Sequence, residues 1–339
     1  FEKNNKLALL LGLHVLYLKL SKLFIYRSIK SLRINMGIFF CSFLLTEFSL
    51  KRNTILKEII KDLDCIFDKK NKIKTRNPSD ILEILFFINR ILKFSSTADF
   101  SNGKIDKILK KFQNKICPIL KGLRLGNGLL VRSNNCSGFS IYCELEKELF
   151  DASPSDISIK KNPMGFIRFN PGRLTFLLNS EISEKKKNSS DFMCSAFSFE
   201  LTSGENILFQ NNSSFFCNIG KSDEIIPLKN QMNTLGLKIQ KENRKSVDFE
   251  SKLIDIKQHR DLKYNYLDVN KEISYDETII SYNRNFFIPF AGNLISCKEK
   301  ITLNETSNKN NFFFIPFYLH PDVEAWKSDS SNNFLLKLK

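Results

Sequence analysis

Only three histidines, His14, His259 and His320, give this chain of 339 residues a side chain that titrates near neutrality. His14 and His259 stand in no partner pattern. His320 precedes Pro321 at the end of an aromatic and aliphatic run, where an imidazole serves either in proton transfer or as a structural side chain with one backbone bond. The phenols of Tyr282 and Tyr318 offer a second source of acid/base groups, with buried aromatic packing as the alternative. Arg76, Arg124, Arg168 and Arg284 carry planar forks that match carboxylate and sulfate, and the same forks also serve as salt-bridged scaffold. Asn211 is either a donor that neutralises a developing anion or a turn residue.

Other chemistries find no support. The sequence has no G-x-S-x-G, no Walker loop, no strand followed by G-x-G-x-x-G and no H-E-x-x-H. Its 8 cysteines form no C-x-x-C and no Cys–His pair with zinc-ligand spacing, so no metal and no other cofactor is expected. Several of them lie in apolar runs, where a free thiol behaves as a small hydrophobe.

The first third reads as helical. In Asn53–Asp68 the apolar residues Ile55, Ile59, Ile60, Leu63 and Phe67 share one face of a 3.6-residue period. The next helix opens on Asn77-Pro78-Ser79-Asp80, an Asn cap with Pro at the first helical position, and continues through Ile81, Leu85, Ile88 and Leu92. Lys104–Leu123 sets Ile105, Ile108, Leu109, Phe112 and Ile116 on one side, and Pro118 is expected to kink or end it. The segment Leu7–Leu18 looks like a short export-signal core. It lacks a small-x-small cleavage site and is too short to span a bilayer, so it reads better as a buried helix.

From about Cys136 the pattern changes to short β-prone runs: Phe139–Cys143, Gly165–Phe169, Leu174–Leu178, Ala196–Leu201, Ile207–Phe209 and Phe312–Leu319. Turn residues such as Asn170-Pro171-Gly172 and Ser203-Gly204 separate them, which suggests an antiparallel sandwich. The expected fold class is α+β with two domains: a helical domain over residues 1–125 and an antiparallel β-sandwich-type domain over 136–339. No internal repeat is visible.

The net charge of +16 attracts polyanions in general. The lysines are spread along the chain, however, and Lys, Asn, Ile and Phe are inflated together, as AT-rich coding produces. No basic helix or stripe of exposed aromatics marks a nucleic-acid surface, so no nucleic-acid partner is expected.

Five segments, in order, resemble the heparinase II/III-like proteins. Thr75-Arg76-Asn77-Pro78 is similar to that family's S-R-N-P. Arg124-Leu125-Gly126-Asn127-Gly128-Leu129-Leu130 is similar to R-H-G-D-G-x-L, with Asn134 at a family Asn. Gly165-Phe166-Ile167-Arg168-Phe169 with Gly172 resembles G-Y-x-R-L and its Gly. Ser198-Phe199-Glu200, followed by Ser203-Gly204 and Asn211, resembles S-F-E…S-G and the Asn beyond it. Phe317-Tyr318-Leu319-His320-Pro321-Asp322-Val323 is similar to F-H-L-H-P-D-V.

The resemblance implies an incomplete α/α toroid before an antiparallel β domain, and a chain truncated at both ends, since the family carries more helices before this region and more strands after it. It implies β-elimination on uronic-acid polysaccharides, a bacterial and periplasmic setting, with a cytoplasmic one as the alternative, and an acidic polysaccharide as partner. Elimination needs a base with a pKa near the working pH and a donor that neutralises the enolate-like anion. By resemblance the catalytic candidates are His320, Tyr282 and Tyr318, and the substrate-binding candidates are Arg76, Asn77, Arg124, Arg168, Asn211 and Arg284. Some family members bind a divalent metal, but the ligand positions are not kept here.

The departures fall on histidines. Met193, Met232, Leu125, Ile73, Tyr282 and Tyr318 stand at family His positions, the H-D-G-Y element matches Lys271–Ser274 without its His, and His320 alone survives. Met can neither accept a proton nor hold a hard cation well. The expectation is therefore a lyase-like chain with a degenerate site, and the alternative is a non-catalytic acidic-glycan-binding protein.

Overall fold

The structure is a computed structural model. It describes residues 2–45, 51–67, 73–97, 103–132, 163–180, 197–211, 236–239, 250–261, 263–275, 278–303, 311–315, 317–327 and 334–338. The chain forms two compact units. One comprises Phe1–Arg76, Asp80–Pro118 and Glu144–Ile157; the other comprises Asn77–Ser79, Ile119–Cys143 and Ser158–Lys339.

The helices are α1 (Glu2–Lys22), α2 (Ile29–Leu44), α3 (Arg52–Ile66), α4 (Pro78–Thr97) and α5 (Gly103–Gly122). Ser28 starts α2 by accepting the Ser31 N–H at 3.4 Å, an N-cap that satisfies one orphan donor. Within α3 the buried residues Leu56, Ile59, Leu63 and Ile66 follow the helical period. The buried Asp62 carboxylate on α3 is met by Ser31 Oγ at 2.9 Å, Asn35 Nδ2 at 2.5 Å and Arg27 at 3.4 Å, so three donors from one side fix α3 against α2. Asn77 caps α4 as expected, its Oδ1 accepting the Ser79 N–H at 3.0 Å.

Two expectations change here. Pro118 does not end its helix: α5 runs four residues further, to Gly122. Leu7–Leu18 is helical, but only one side of it is buried. Val15 packs with Ile34, Ile38 and Cys41 of α2, while Leu9, Leu13, Tyr17 and Phe24 are more than half exposed. The apolar residues run right round α1, and among the described residues α2 covers one side of them. No helix among the described residues is long and apolar enough to cross a membrane.

The second unit holds two four-stranded antiparallel sheets. The first is β1 (Phe166–Phe169), β2 (Leu174–Asn179), β3 (Phe199–Ser203) and β4 (Asn206–Phe209), in that spatial order. The second is β6 (Glu250–Arg260), β7 (Tyr264–Tyr275), β8 (Thr278–Pro289) and β9 (Ser296–Leu303), also in chain order. Two-stranded pairs join β5 (Gly236–Ile239) to β10 (Asn311–Phe314) and β11 (Val323–Lys327) to β12 (Phe334–Leu338). Alternate residues of the two large sheets meet in one core, with Ile167, Phe169, Phe176, Leu178, Phe199 and Leu201 facing Leu267, Val269, Tyr282, Phe286 and Ile288. This is a β-sandwich, and with the helices it makes the α+β architecture expected.

The strand expected over Ala196–Leu201 begins only at Phe199. Phe197 has φ +68, outside the extended region, and its buried ring and its carbonyl hold the chain in that conformation. The turns also lock the sandwich at one end. A Cβ on Gly172 would collide with the Ala291 carbonyl, and one on Gly292 would collide with the Pro171 carbonyl. The β1–β2 and β8–β9 turns thus touch backbone to backbone. The strand expected over Phe139–Cys143 lies outside the described residues.

Candidate functional site

The residues singled out in the second unit fall into three groups. The first lies on the face of sheet one that points away from the sandwich core. Residues 122–132 fold there as a tight hairpin: Leu125 N–H donates to Leu129 O at 2.8 Å, Val131 N–H to Leu123 O at 3.0 Å, and Gly128 turns the chain at φ +83. Gly126 N–H then donates to the Thr202 hydroxyl on β3 at 2.9 Å. The Arg-Leu-Gly-Asn-Gly segment is therefore a strap laid on sheet one.

Arg168 on β1 points to the same face. Its NH1 donates to Gly122 O at 3.2 Å and to Arg124 O, so the strap's backbone is what this guanidinium holds. Burial pushes its pKa down to about 10, which leaves it charged at neutral pH. Glu200 lies in the same row of the sheet, because Arg168 pairs Leu177 and Leu177 pairs Glu200. Two strand spacings put the two groups roughly 10 Å apart, so they form no ion pair with each other. Instead Glu200 Oε1 accepts the backbone N–H of Asn211 at 2.9 Å and of Arg132 at 3.1 Å. Burial pushes the Glu200 carboxyl up to about 8, although those bonds and the Arg132 charge pull the other way. Asn211 is thus placed by Glu200, an anchor that sequence reasoning noticed only as part of a motif.

The second group lies inside the sandwich. Tyr282 and Arg284 occupy inward positions of β8, both fully buried. Glu299, which pairs Arg284 in register from β9, collects them both: Arg284 Nε donates to Oε1 at 2.7 Å and the Tyr282 hydroxyl to Oε2 at 2.6 Å. Cys297 adds an S–H···O contact at 3.1 Å. Arg284 NH1 donates to the Phe197 carbonyl at 2.6 Å, and its guanidinium lies 5.2 Å from the Phe199 ring centre and 5.6 Å from that of Phe286. Burial, then Glu299, raises the Tyr282 phenol far above its ordinary range, and burial likewise raises the Cys297 thiol. Lys271, also buried, sets its ammonium 5.3 Å from the Tyr282 ring.

The third group is the segment around His320. It pairs along β4, with Gln210 N–H donating to Tyr318 O and His320 N–H to Leu208 O, each at 3.1 Å. The Asp322 N–H donates to His320 Nδ1 at 3.3 Å, and the Asp322 carboxylate lies 3.5 Å from the same nitrogen. His320 is half-buried, and burial raises the Tyr318 phenol. Register thus draws Asn211, Glu200 and the Tyr318 segment together around the end of β4, while Tyr282 and Arg284 belong to the core. Arg76 lies half-buried in the helical unit. Met193, Met232 and Asn134 lie outside the described residues, and these hold no cluster of His, Cys, Asp and Glu fit for a metal ion.

Sequence reasoning missed Glu299 and Lys271. The signal for both is the in-register neighbour, Arg284 for Glu299 and Tyr282 for Lys271, which becomes readable once the β7–β8–β9 pairing is known. The strap also yields a prediction. A Cβ at Gly126 would collide with the Gly204 carbonyl oxygen and the Thr202 hydroxyl, so Gly126→Ala is expected to cost about 1–3 kcal/mol. Gly128→Ala meets open space and suffers only its positive φ, about 1 kcal/mol. Urea denaturation of the two variants gives the comparison, and equal losses would mean that the strap is not seated on β3.

Two antiparallel sheets stacked in one unit, with helices in the other, define an α+β protein. Solved structures to which the chain is similar include a heparinase III gene product, at 9% identity and a TM-score of 0.48 over 91% of this chain and 64% of that one. Another heparinase III matches at 10% identity and 0.46 over 92% and 66%. A mutant of the heparan sulfate lyase HepC from Pedobacter heparinus matches at 7% and 0.46 over 91% and 65%. The chain thus spans slightly less than two thirds of the length of these structures. At such identities no residue's role passes from one chain to the other. No protein-family profile and no curated protein matches the chain.

Proposed function

We propose that this protein binds an acidic polysaccharide and does not cleave it. The observation that carries this reading is the fate of Tyr282: its phenol is fully enclosed, hydrogen-bonded to Glu299, and raised well out of the range in which it could take a proton from a substrate. Arg284, one of the four arginines that could bind an anion, is committed to the same internal pair. At the position of Tyr282 a structural hydrogen bond thus stands where the resemblance implies proton transfer. The motifs themselves and a net charge of +16 support an acidic glycan as ligand. Such a ligand would be met in a bacterial periplasm, the setting that the motif resemblance implies.

The test mixes the protein with heparan sulfate, alginate and other uronate polymers, and follows both ultraviolet absorbance from unsaturated sugar and binding by calorimetry. The expected outcome is a flat absorbance trace with salt-sensitive binding. Absorbance that grows with protein and is lost in His320→Ala would overturn the reading, because the surviving histidine would then be working as a catalyst.

A further inference from the structure

The face of the second sheet that points away from the core is composed unlike an ordinary solvated surface. Strands β7 and β8, each 12 residues long, pair without interruption, so side chains on this face stand in fixed rows. One row runs His259, Tyr266, Phe287, Ser296. The next runs Lys257, Asp268, Asn285, Lys298, and the third runs Asp255, Asn270, Asn283, Lys300.

The middle of the face is a hydrogen-bonded ladder. Tyr266 OH donates to Asn285 Oδ1 at 3.0 Å, Asn285 Nδ2 to Asn283 Oδ1 at 2.6 Å, and Asn283 Nδ2 to Asp268 Oδ1 at 2.6 Å and to Asn270 Oδ1. Beside it lies an aromatic patch, in which the Tyr264 and Phe287 rings are 4.9 Å apart and Phe287 is 38% exposed. On the other flank Lys298 and Lys300 are exposed, and among the described residues neither has an acidic partner. Asp255 is paired with Lys257 at 3.4 Å, Asp268 accepts from Asn283 within the ladder, and Glu272 lies one row beyond it. The positive charge is therefore concentrated at the β9 edge, on Lys298 and Lys300.

We infer that this face is a binding platform for an acidic oligosaccharide. A pyranose offers an apolar C–H face for the aromatic patch, hydroxyls for fixed amides, and a carboxylate or sulfate for a lysine. Lys298 and Lys300 stand roughly 7 Å apart, two residues along one strand. A nucleic-acid duplex fits less well. Its phosphates, one per about 1.7 Å of axis with both strands counted, would crowd against Asp255, Asp268 and Glu272, whereas a polymer with one charge per sugar can pass them. The inference shares its ligand class with the function proposed above but rests on a different surface, and it survives if His320 proves catalytic.

Titration with an alginate hexasaccharide tests it. Lys298→Ala/Lys300→Ala and Phe287→Ala are each expected to weaken binding at least tenfold, while Lys110→Ala/Lys111→Ala, which removes the same charge from the exposed side of α5, leaves it unchanged. Equal loss in both double variants would reduce the effect to net charge and overturn the platform. So would full affinity in the β9 variant, an equally tight neutral hexasaccharide, or a preference for a single-stranded oligonucleotide. Binding that persists in the β9 variant leaves the glycan-binding function standing and removes only the platform. Absence of binding in the unaltered protein removes both. Sugar cleavage with the platform variants impaired in binding removes only the non-catalytic reading.

Discussion

Arg284→Ala is expected to destabilise the β-sandwich by about 3–5 kcal/mol, the cost typical of removing one partner from a buried ion pair. The guanidinium has no exposure, and its loss leaves the Glu299 carboxylate inside the fold without its strongest donor and the Phe197 carbonyl without its bond. A cavity among Phe199, Phe286 and Phe317 adds to the loss. Because the pair also carries a desolvation cost, the double variant Arg284→Met/Glu299→Leu is expected to recover part of the loss, leaving chiefly the Tyr282 hydroxyl without an acceptor. Urea denaturation of the single and double variants measures both. A loss below about 1 kcal/mol in Arg284→Ala would mean that the aromatic core holds the two sheets without the ion pair.

Glu200 should make stability fall as pH rises through neutrality. The folded protein holds this proton more tightly than the unfolded chain does, since burial pushes the carboxyl from an ordinary value near 4.5 up to about 8. The contribution is therefore full below about pH 4.5 and is lost as pH climbs through about 8, the reverse of a salt-bridged carboxylate. Its size is on the order of a few kcal/mol. Glu200→Gln keeps an oxygen for the Arg132 and Asn211 N–H groups and removes the titration, so its urea midpoints at pH 5, 7 and 8.5 are expected to lie closer together than those of the unaltered protein. An identical slope in the variant would assign the pH dependence to another group.

The helices and the first sheet were legible because each has a pattern that one local rule can read. Leu85, Ile88 and Leu92 keep a helical period, and Leu174, Phe176 and Leu178 fall at every second position after the Pro171-Gly172 turn. The second sheet was not legible. The inward row of β8 runs Ile280, Tyr282, Arg284, Phe286, Ile288, with an arginine at its centre, and β7 places Lys271 beside it. A charge at an inward position breaks the alternation that identifies a strand, and its compensation, Glu299, belongs to another strand. The candidate site divides along the same line. Arg168, Asn211 and Glu200 could be named from motifs, yet their duties come from partners far away in sequence: Arg168 grips the strap 44 and 46 residues upstream, and Glu200 meets Arg132 across 68. Tyr282 was readable as a phenol but not as an enclosed one, because enclosure depends on the whole sandwich.

The edge-to-face packing of Phe176 and Phe199 against Phe286 also bears on synthesis. Arg284 follows Phe197 by 87 positions, so sheet one leaves the ribosome well before the strand that closes over it. At roughly 5–20 residues per second that interval is on the order of 4–20 s. Through it the nascent chain displays a row of phenylalanines, stacked on one another, without the second sheet that covers them. Codons that slow translation between residues 210 and 280 would lengthen this exposure, and the yield of native protein would then depend on whether a chaperone reaches the row before another chain does.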